Sequence, residues 1–205
     1  MFEIVVLLVF GYLIGCINPA WIISKLKKTE LRRKGTGNLG ATNVFLTLGK
    51  RIGVFVMLLD IGKAYAVVLI ARILFPQFAL AGVLAGSAVI LGHMFPFYLG
   101  FKGGKGSACL GGAILGLDWK LFLALLLLGI FIAFLVDYPW AVPVSAAGLF
   151  PFAYGISVHS DISIAILLCP SICLILKHME NYRRVREGTE STIRGYLKGL
   201  KREKS

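Results

Sequence analysis

The sequence predicts an all-α integral membrane protein with about seven transmembrane helices, the N-terminus outside and the C-terminus cytoplasmic. Two observations predict it. The chain is 58% hydrophobic with a mean hydropathy of +0.83, and several of its apolar runs are long enough to span about 30 Å of hydrocarbon. Its basic residues are also confined to three places. Eight lie in the first loop (25–51), two are Lys102 and Lys105, and nine fall from Lys177 onward, together nineteen of the 22 Lys and Arg. Seven crossings put all three on the cytoplasmic face, whereas losing one would expose the basic tail outside, against the positive-inside rule. Five crossings plus re-entrant segments preserve the same parity and are the alternative.

The first segment, 2–24, has no basic n-region, carries Glu3 and is followed by no small-residue cleavage site, so it reads as a retained helix and not a signal peptide. Asn18–Pro19 places a kink near its far end, and Trp21 stands where an interfacial anchor belongs. The second segment, 52–75, holds Asp60 and Lys63 three apart on one face, a spacing for an ion pair turned toward protein. Pro76–Gln77 make an outer turn.

The third segment, 78–91, and the one after it, 108–117, are each too short to span 30 Å. The connection 93–106 between them is therefore expected to dip below the membrane surface and line a recessed polar cavity. Asp118–Trp119 turn the chain into 121–136. A break at 137–139 leads to 141–157, a turn at 159–161, and a last segment, 162–176. The pairs Gly11/Gly15, Gly82/Gly86 and Gly112/Gly116 read as close-packing faces between helices. Residues 1–190 form one transmembrane domain, and 191–205 form a basic cytoplasmic tail lying on anionic lipid.

Cys16, Cys109, Cys169 and Cys173 all lie in apolar stretches, with no His or acidic residue at ligand spacing around the last two. They imply neither disulfides nor a metal. The net charge of +12 reports topology and anionic membrane lipid, and no nucleic acid is expected as a partner.

Three polar constellations share the cytoplasmic face. The middle one, Gly92–Ser107, is a glycine-rich loop carrying Lys102 and Lys105. Its successive backbone amides can turn toward one anion, with a helix N-terminus starting near Ser107–Ala108. It is not a Walker A loop, because Gly106 follows Lys105 where that motif needs Ser or Thr. The plainer reading is helix packing at a basic membrane edge.

The first constellation, Gly35-Thr36-Gly37-Asn38-Leu39-Gly40-Ala41-Thr42-Asn43, formally matches the dinucleotide fingerprint but follows a membrane helix and not a strand. It retains close backbone approach to an oxyanion, with Asn38 and Asn43 as neutral hydrogen-bonders, or serves as a flexible turn. In the third, His178, Asn181 and Arg184 or Arg183 share one face of a continuing helix.

These motifs resemble those of the acyl-phosphate glycerol-3-phosphate acyltransferases, the PlsY family. The resemblance rests on Gly35–Asn43, on Gly92-His93-x-x-Pro96 with Phe101–Gly106, and on His178-x-x-Asn181-x-x-Arg184 with Gly188-x-Glu190. Asp60-x-x-Lys63 also fits, and the likeness covers nearly the whole chain.

It implies a multi-pass enzyme of the bacterial cytoplasmic (inner) membrane with its active site toward the cytoplasm. The reaction implied is transfer of a fatty acyl group from acyl phosphate to the 1-hydroxyl of glycerol 3-phosphate, giving lysophosphatidic acid and phosphate, without a cofactor. By the same resemblance Lys105 and the amides of Gly103, Gly104 and Gly106 hold phosphate, with Lys102 beside them. Asn43, His178, Asn181 and Arg184 position glycerol 3-phosphate, Thr36, Gly37, Asn38 and Thr42 are further substrate-binding residues, and Lys105, His178, Asn181 and His93 are the catalytic ones. The base is His178, His93 or an oxygen of the acyl phosphate itself.

Positioning and charge stabilisation suffice for direct attack on a mixed anhydride, and no Ser/Cys–His–carboxylate set recommends itself. The acyl-CoA acyltransferase pairing of His with an Asp five residues on is missing: Tyr98, Ile164 and Arg183 occupy those places. The chain departs from the family in having Thr36 for Ser, Leu46 for Arg, and Asp137–Pro143 where serines are usual. Two other classes fit the same recessed loops, a transporter or channel for a phosphorylated metabolite and a catalytically weakened lipid-binding relative. No repeat of halves supports the transporter.

Overall fold

The computed structural model describes residues 1–196. Among them all regular structure is helical, with nine α-helices: α1 Phe2–Cys16, α2 Pro19–Leu26, α3 Ala41–Leu48, α4 Lys50–Leu74, α5 Ala81–Met94, α6 Ser107–Leu117, α7 Trp119–Val136, α8 Ala141–Ser157 and α9 Asp161–Arg186. Five stretches are long and apolar enough to cross a membrane: Phe2–Leu26, Lys50–Leu74, Ala81–Leu99, Trp119–Val136 and Asp161–Arg186. The helices Ser107–Leu117 and Ala141–Ser157 are shorter. All seven expected apolar segments are thus present as helices, five of them of full spanning length.

α5 is the inner helix, with every residue but Leu91 buried. Its Ala, Gly, Ser and Val side chains are small enough for neighbours to close around it on all sides. α1 packs against it most extensively, and α4, α6 and α9 complete the ring, while α7 and α8 extend the bundle outward. Two of the three expected glycine pairs, Gly11/Gly15 and Gly112/Gly116, make close crossings. A Cβ on Gly15 would run into the Val89 carbonyl of α5, and one on Gly112 into the Ile61 carbonyl of α4. By contrast α7 turns Leu127, Phe131, Phe134 and Leu135 outward, as a lipid-facing helix does.

The kink expected at Asn18–Pro19 is a full break. α1 stops at Cys16, Pro19 opens α2, and the Asn18 side chain caps the new helix by accepting the Trp21 N–H at 2.8 Å, an arrangement suited to a proline at a first helical position. The first loop also differs from the flexible turn among its readings, because it contains α3. Ala41, Val44, Phe45 and Leu48 recur at helical spacing, and this stripe packs with Leu31, Leu39 and Val56 into a second, smaller core.

α9 runs unbroken to Arg186, so the third motif lies on one helix with the membrane segment that precedes it. The start of α6 falls at Ser107, as the sequence predicts. The loops 27–40 and 95–106, the 137–140 turn and the end of α9 all meet at one end of the bundle, joined by the contacts described below. Of the tail expected over 191–205, the N–H groups of Ile193 and Arg194 bond to Asp137, through its carbonyl and its Oδ1, each at 3.0 Å. Lys198, Lys201, Arg202 and Lys204 lie outside the described residues.

The close α1–α5 crossing predicts that Gly15→Val lowers the thermal-inactivation midpoint of the detergent-purified protein, overpacking of this kind costing on the order of 1–3 kcal/mol. Gly148→Ala, where nothing lies within 4 Å of the new methyl, is expected to leave the midpoint unchanged. Equal midpoints for the two variants would contradict the packing assigned to Gly15.

Candidate active site

The site is built on the α1–α2 break. Because Pro19 has no N–H and Asn18 is extended, the carbonyls of Gly15, Cys16 and Ile17 lose their helical partners inside the membrane-spanning region. Lys63 Nζ donates to Gly15 O at 3.2 Å and Ile17 O at 2.6 Å, and Tyr98 Oη donates to Cys16 O at 2.8 Å. The same ammonium pairs with Asp60 Oδ1 at 2.7 Å, as their spacing predicts, and lies 3.2 Å from His93 Nδ1. Asp60 Oδ1 is itself 3.2 Å from His93 Nδ1. The ligand atoms of Asp60, His93 and Cys109 cluster within 4.8 Å of one another, but Lys63 already supplies a cation to this group.

His93 in turn carries the glycine loop. Its carbonyl accepts the Gly104 N–H at 3.1 Å, and the Met94 carbonyl accepts that of Gly103 at 3.0 Å. Gly104 lies directly against the ring: a Cβ there would overlap His93 Nε2 and come within 2.9 Å of Leu39 O. Leu39 O also accepts from Asn18 Nδ2 at 3.1 Å, and Arg32 Nη2 donates to Lys102 O at 2.6 Å. The first and second motifs are therefore docked on each other above the helix break. Gly106, at φ +87°, turns the chain into α6, whose first-turn amides have no side-chain cap.

The third motif closes the site. Lys105 Nζ donates to Asn181 Oδ1 and lies 3.5 Å from Glu180 Oε2. Burial pushes the Lys105 ammonium below the usual lysine range, against the opposing pull of Glu180. Asn181 Nδ2 donates to Glu190 Oε1 at 2.7 Å, and Arg184 is gripped by Glu190 Oε2 at 2.6 Å and Glu180 Oε1 at 3.0 Å. His178 is buried, and its Nδ1 lies 2.8 Å from Leu174 O. A carbonyl can only accept, which assigns the proton to Nδ1 and leaves Nε2 as the acceptor, 3.4 Å from Ser107 Oγ.

Two glycine-rich loops docked on each other, with a lysine reaching across to a His-x-x-Asn-x-x-Arg helix, form a distinctive arrangement, and the chain as a whole is similar to known proteins. The glycerol-3-phosphate acyltransferase family model matches residues 5–188. The chain belongs to the glycerol-3-phosphate acyltransferase family. Curated relatives of that name from Geotalea daltonii and Mesorhizobium japonicum are 35% and 37% identical, over 93% and 94% of this chain and 97% of each relative. Among solved structures, PlsY, an integral membrane glycerol 3-phosphate acyltransferase, superposes in its glycerol 3-phosphate form with a TM-score of 0.86 at 32% identity, covering 96% of this chain and 98% of that one. Its lysophosphatidic acid form gives 0.81 at 31% identity, covering 92% and 94%.

In this acyltransferase the expected site residues do not all stand where the motif reading puts them. Lys105, His178, Asn181 and Arg184 come together, whereas Arg183 is exposed and pairs with Glu187 at 3.4 Å. The amides of Gly103 and Gly104, expected to hold phosphate, are already taken by the Met94 and His93 carbonyls at the end of α5. The amides of Lys105 and Gly106 and the start of α6 remain. Asn43 also departs from its expected role as a substrate contact. It is fully buried, accepts the Thr36 N–H at 2.8 Å and donates to Leu31 O and Asn38 O at 2.8 and 2.9 Å, so it shapes the loop that presents Thr36, Gly37 and Asn38.

Thr42 and Lys102 are exposed at the rim. His93 lies beneath the loop and not among the α9 residues. Ser107 and Glu180 were not singled out by the motifs, although Glu180, three before Arg183 and four before Arg184, has the spacing of a helical ion pair.

The buried pair predicts a non-additive mutant cycle. Lys63→Met leaves the Asp60 carboxylate uncompensated and is expected to cost about 3–5 kcal/mol, read as a large drop in thermal midpoint. Adding Asp60→Asn should recover part of that loss. A double variant no more stable than Lys63→Met alone would mean that the pair does not govern stability here.

Proposed function

We propose that this chain transfers a fatty acyl group from acyl phosphate to the 1-hydroxyl of glycerol 3-phosphate, at the cytoplasmic side of a bacterial inner membrane. Membership in the family carries the acyltransferase part. The single observation that best supports the donor and the site is the convergence of Lys105, the open amides at the start of α6, and the His178–Asn181–Arg184 stripe in one recess. These groups are donors to oxyanions, apart from the acceptor nitrogen of His178 and the Asn181 Oδ1 that accepts from Lys105. The described residues of the three basic regions lie at the same end of the bundle, which supports a cytoplasm-facing site.

In this reading the donor's phosphate sits on the Lys105–Ser107 turn, and the phosphate of the acceptor displaces Glu180 and Glu190 from Arg184 and Asn181. The 1-hydroxyl attacks the acyl carbonyl, the new ester C–O bond forms, and the bond from the acyl carbon to the phosphate oxygen breaks. His178 Nε2, with its proton held on the other nitrogen, accepts the hydrogen bond of the attacking hydroxyl. The proton ends on the leaving phosphate, so no covalent acyl-enzyme is required. Lys105 and the α6 N-terminus stabilise the charge that develops on the phosphate as it departs.

An apolar cleft of about 380 Å³ between α7, α8 and α9 is lined by Ile132, Val136, Val144, Tyr182 and Val185 among others. Tyr182 and Val185 adjoin Asn181 and Arg184, which gives an acyl chain an apolar wall beside the reacting groups.

Purified protein given glycerol 3-phosphate and either acyl phosphate or acyl-coenzyme A at equal concentration is expected to form lysophosphatidic acid only from acyl phosphate. Lys105→Ala should abolish that transfer. Efficient use of acyl-coenzyme A would reject the donor assignment, and full activity of Lys105→Ala would reject the site.

A pH profile tests the charge state. The active form carries Lys105 protonated, so kcat/KM holds below its pKa and is lost as pH rises through it. Because burial lowers that pKa from the ordinary 10.5, the alkaline fall should come earlier than a free lysine allows and should move upward in Lys105→Arg. An alkaline limb unmoved by the arginine would assign it to another group.

A further inference from the structure

Carboxylates already answer two cations of the site: Arg184 has Glu180 and Glu190, and Lys105 has Glu180. Lys177 is different. It makes no salt bridge with any of the described residues, although it lies half-buried at the inner end of the same stripe. Lys177, Asn181 and Arg184 follow one another at four- and three-residue spacing and so share one face of α9. Lys177 is the deepest of the three, about one helical turn or roughly 6 Å below Asn181.

Its ammonium stands 4.8 Å from the centre of the Phe95 ring. Phe95 is the residue at which α5 ends and the glycine loop begins, and its carbonyl is fixed by the Tyr12 hydroxyl at 2.8 Å. The ring holds the ammonium by cation–π attraction and shields one side of it from water. Burial and the charges of Lys105 and Arg32 disfavour the ammonium, and Glu180 opposes them from a distance without pairing with it. A half-buried ammonium with no paired carboxylate gains when an anion enters beside it.

We propose that Lys177 is a substrate-binding residue, the α9 counterpart of Lys105, and that the two cations together hold one phosphate dianion. The inference rests on the acyltransferase reading above. Both substrates carry this chemistry, and the kinetics separate them.

The test uses the full chain purified in detergent, as wild type, Lys177→Met, Lys177→Gln, Lys177→Arg and Lys105→Ala. KM for acyl phosphate, KM for glycerol 3-phosphate, kcat, and inhibition by inorganic phosphate are measured for each. Methionine keeps an apolar stem over Phe95 and removes only the charge. Lys177→Met is expected to raise one KM and the inhibition constant for inorganic phosphate by about tenfold, the scale of one charge-assisted hydrogen bond, with kcat little changed. Lys177→Arg should restore both.

A raised KM for acyl phosphate assigns the dianion to the donor, and a raised KM for glycerol 3-phosphate assigns it to the acceptor. Unchanged binding constants in Lys177→Met, or a loss confined to kcat, would overturn the proposal. Failure of both Lys177→Met and Lys177→Gln to fold would make the lysine a structural residue and overturn it too. Lys105→Ala separates the two readings: if it is inactive while Lys177→Met binds normally, only this inference fails, and if it is fully active the acyltransferase site itself fails.

Discussion

The Lys63 ammonium is the interaction on which the rest of this structure depends. A membrane-spanning segment has no water to satisfy a freed carbonyl, so a helix can break inside the bilayer only where protein supplies the missing donors. At Asn18–Pro19 three consecutive carbonyls are freed, and Lys63 satisfies two of them while Tyr98 satisfies the third. A lysine at that depth needs an anion, which Asp60 provides one helical turn away. His93 completes the group by tying it to the end of α5. Break, ion pair and loop are thus one assembly: removing the charge would strand the carbonyls, and removing the break would leave the glycine loop nothing to sit on.

That assembly explains why the loop is rigid before any ligand arrives. Gly103 and Gly104 use their amides to clasp the last residues of α5, and Gly104 has no side chain because the His93 ring occupies the space. The amides left open are consequently those of the next turn, from Lys105 into α6. Preorganised donors of this kind need no rearrangement when charge develops on a leaving phosphate, and in a recess shielded from bulk water each is worth more than at an open surface. Glu180 and Glu190 hold Arg184 and Asn181 in the same way on the α9 side. Their carboxylate oxygens keep the Arg184 guanidinium and the Asn181 amide paired.

Much of this was legible in the sequence, and the part that was not has a common physical cause. The apolar segments, the Asp60–Lys63 pair, the glycine crossings, the start of α6 at Ser107 and the His178–Asn181–Arg184 stripe all follow from local spacing or from the membrane's length requirement. What spacing cannot convey is which partner a polar group has already found. Asn43 and the Gly103 and Gly104 amides look like free ligands in a motif, yet each is occupied by backbone that folds back over five to twelve residues. His93 is near Lys105 in sequence but separated from the α9 residues, because Gly104 lies over its ring. The short helix α3 was missed for a different reason: its apolar stripe is only eight residues long and lies within a run whose glycines and hydroxyls read as a loop.

Two of the three places where the chain departs from its family's usual residues are linked through a third element. Leu46 lies on α3, exposed, beside Phe45, and the Phe45 ring packs against Tyr196 at 5.9 Å between centroids. Asp137 sits in the connection where serines are usual. It adopts φ +66°, a conformation that Asp tolerates better than most residues, and caps the turn that begins at Ile193 with its carbonyl and its carboxylate. The segment after α9 therefore docks on Asp137 and on Phe45, the neighbour of Leu46. An arginine at position 46 would bring a hydrated charge next to the Phe45–Tyr196 contact, and a serine at 137 would offer a weaker cap in a less comfortable backbone geometry. Leucine and aspartate are the residues that suit a docked C-terminal turn, so the two departures read as one coordinated change in how this flank of the site is closed.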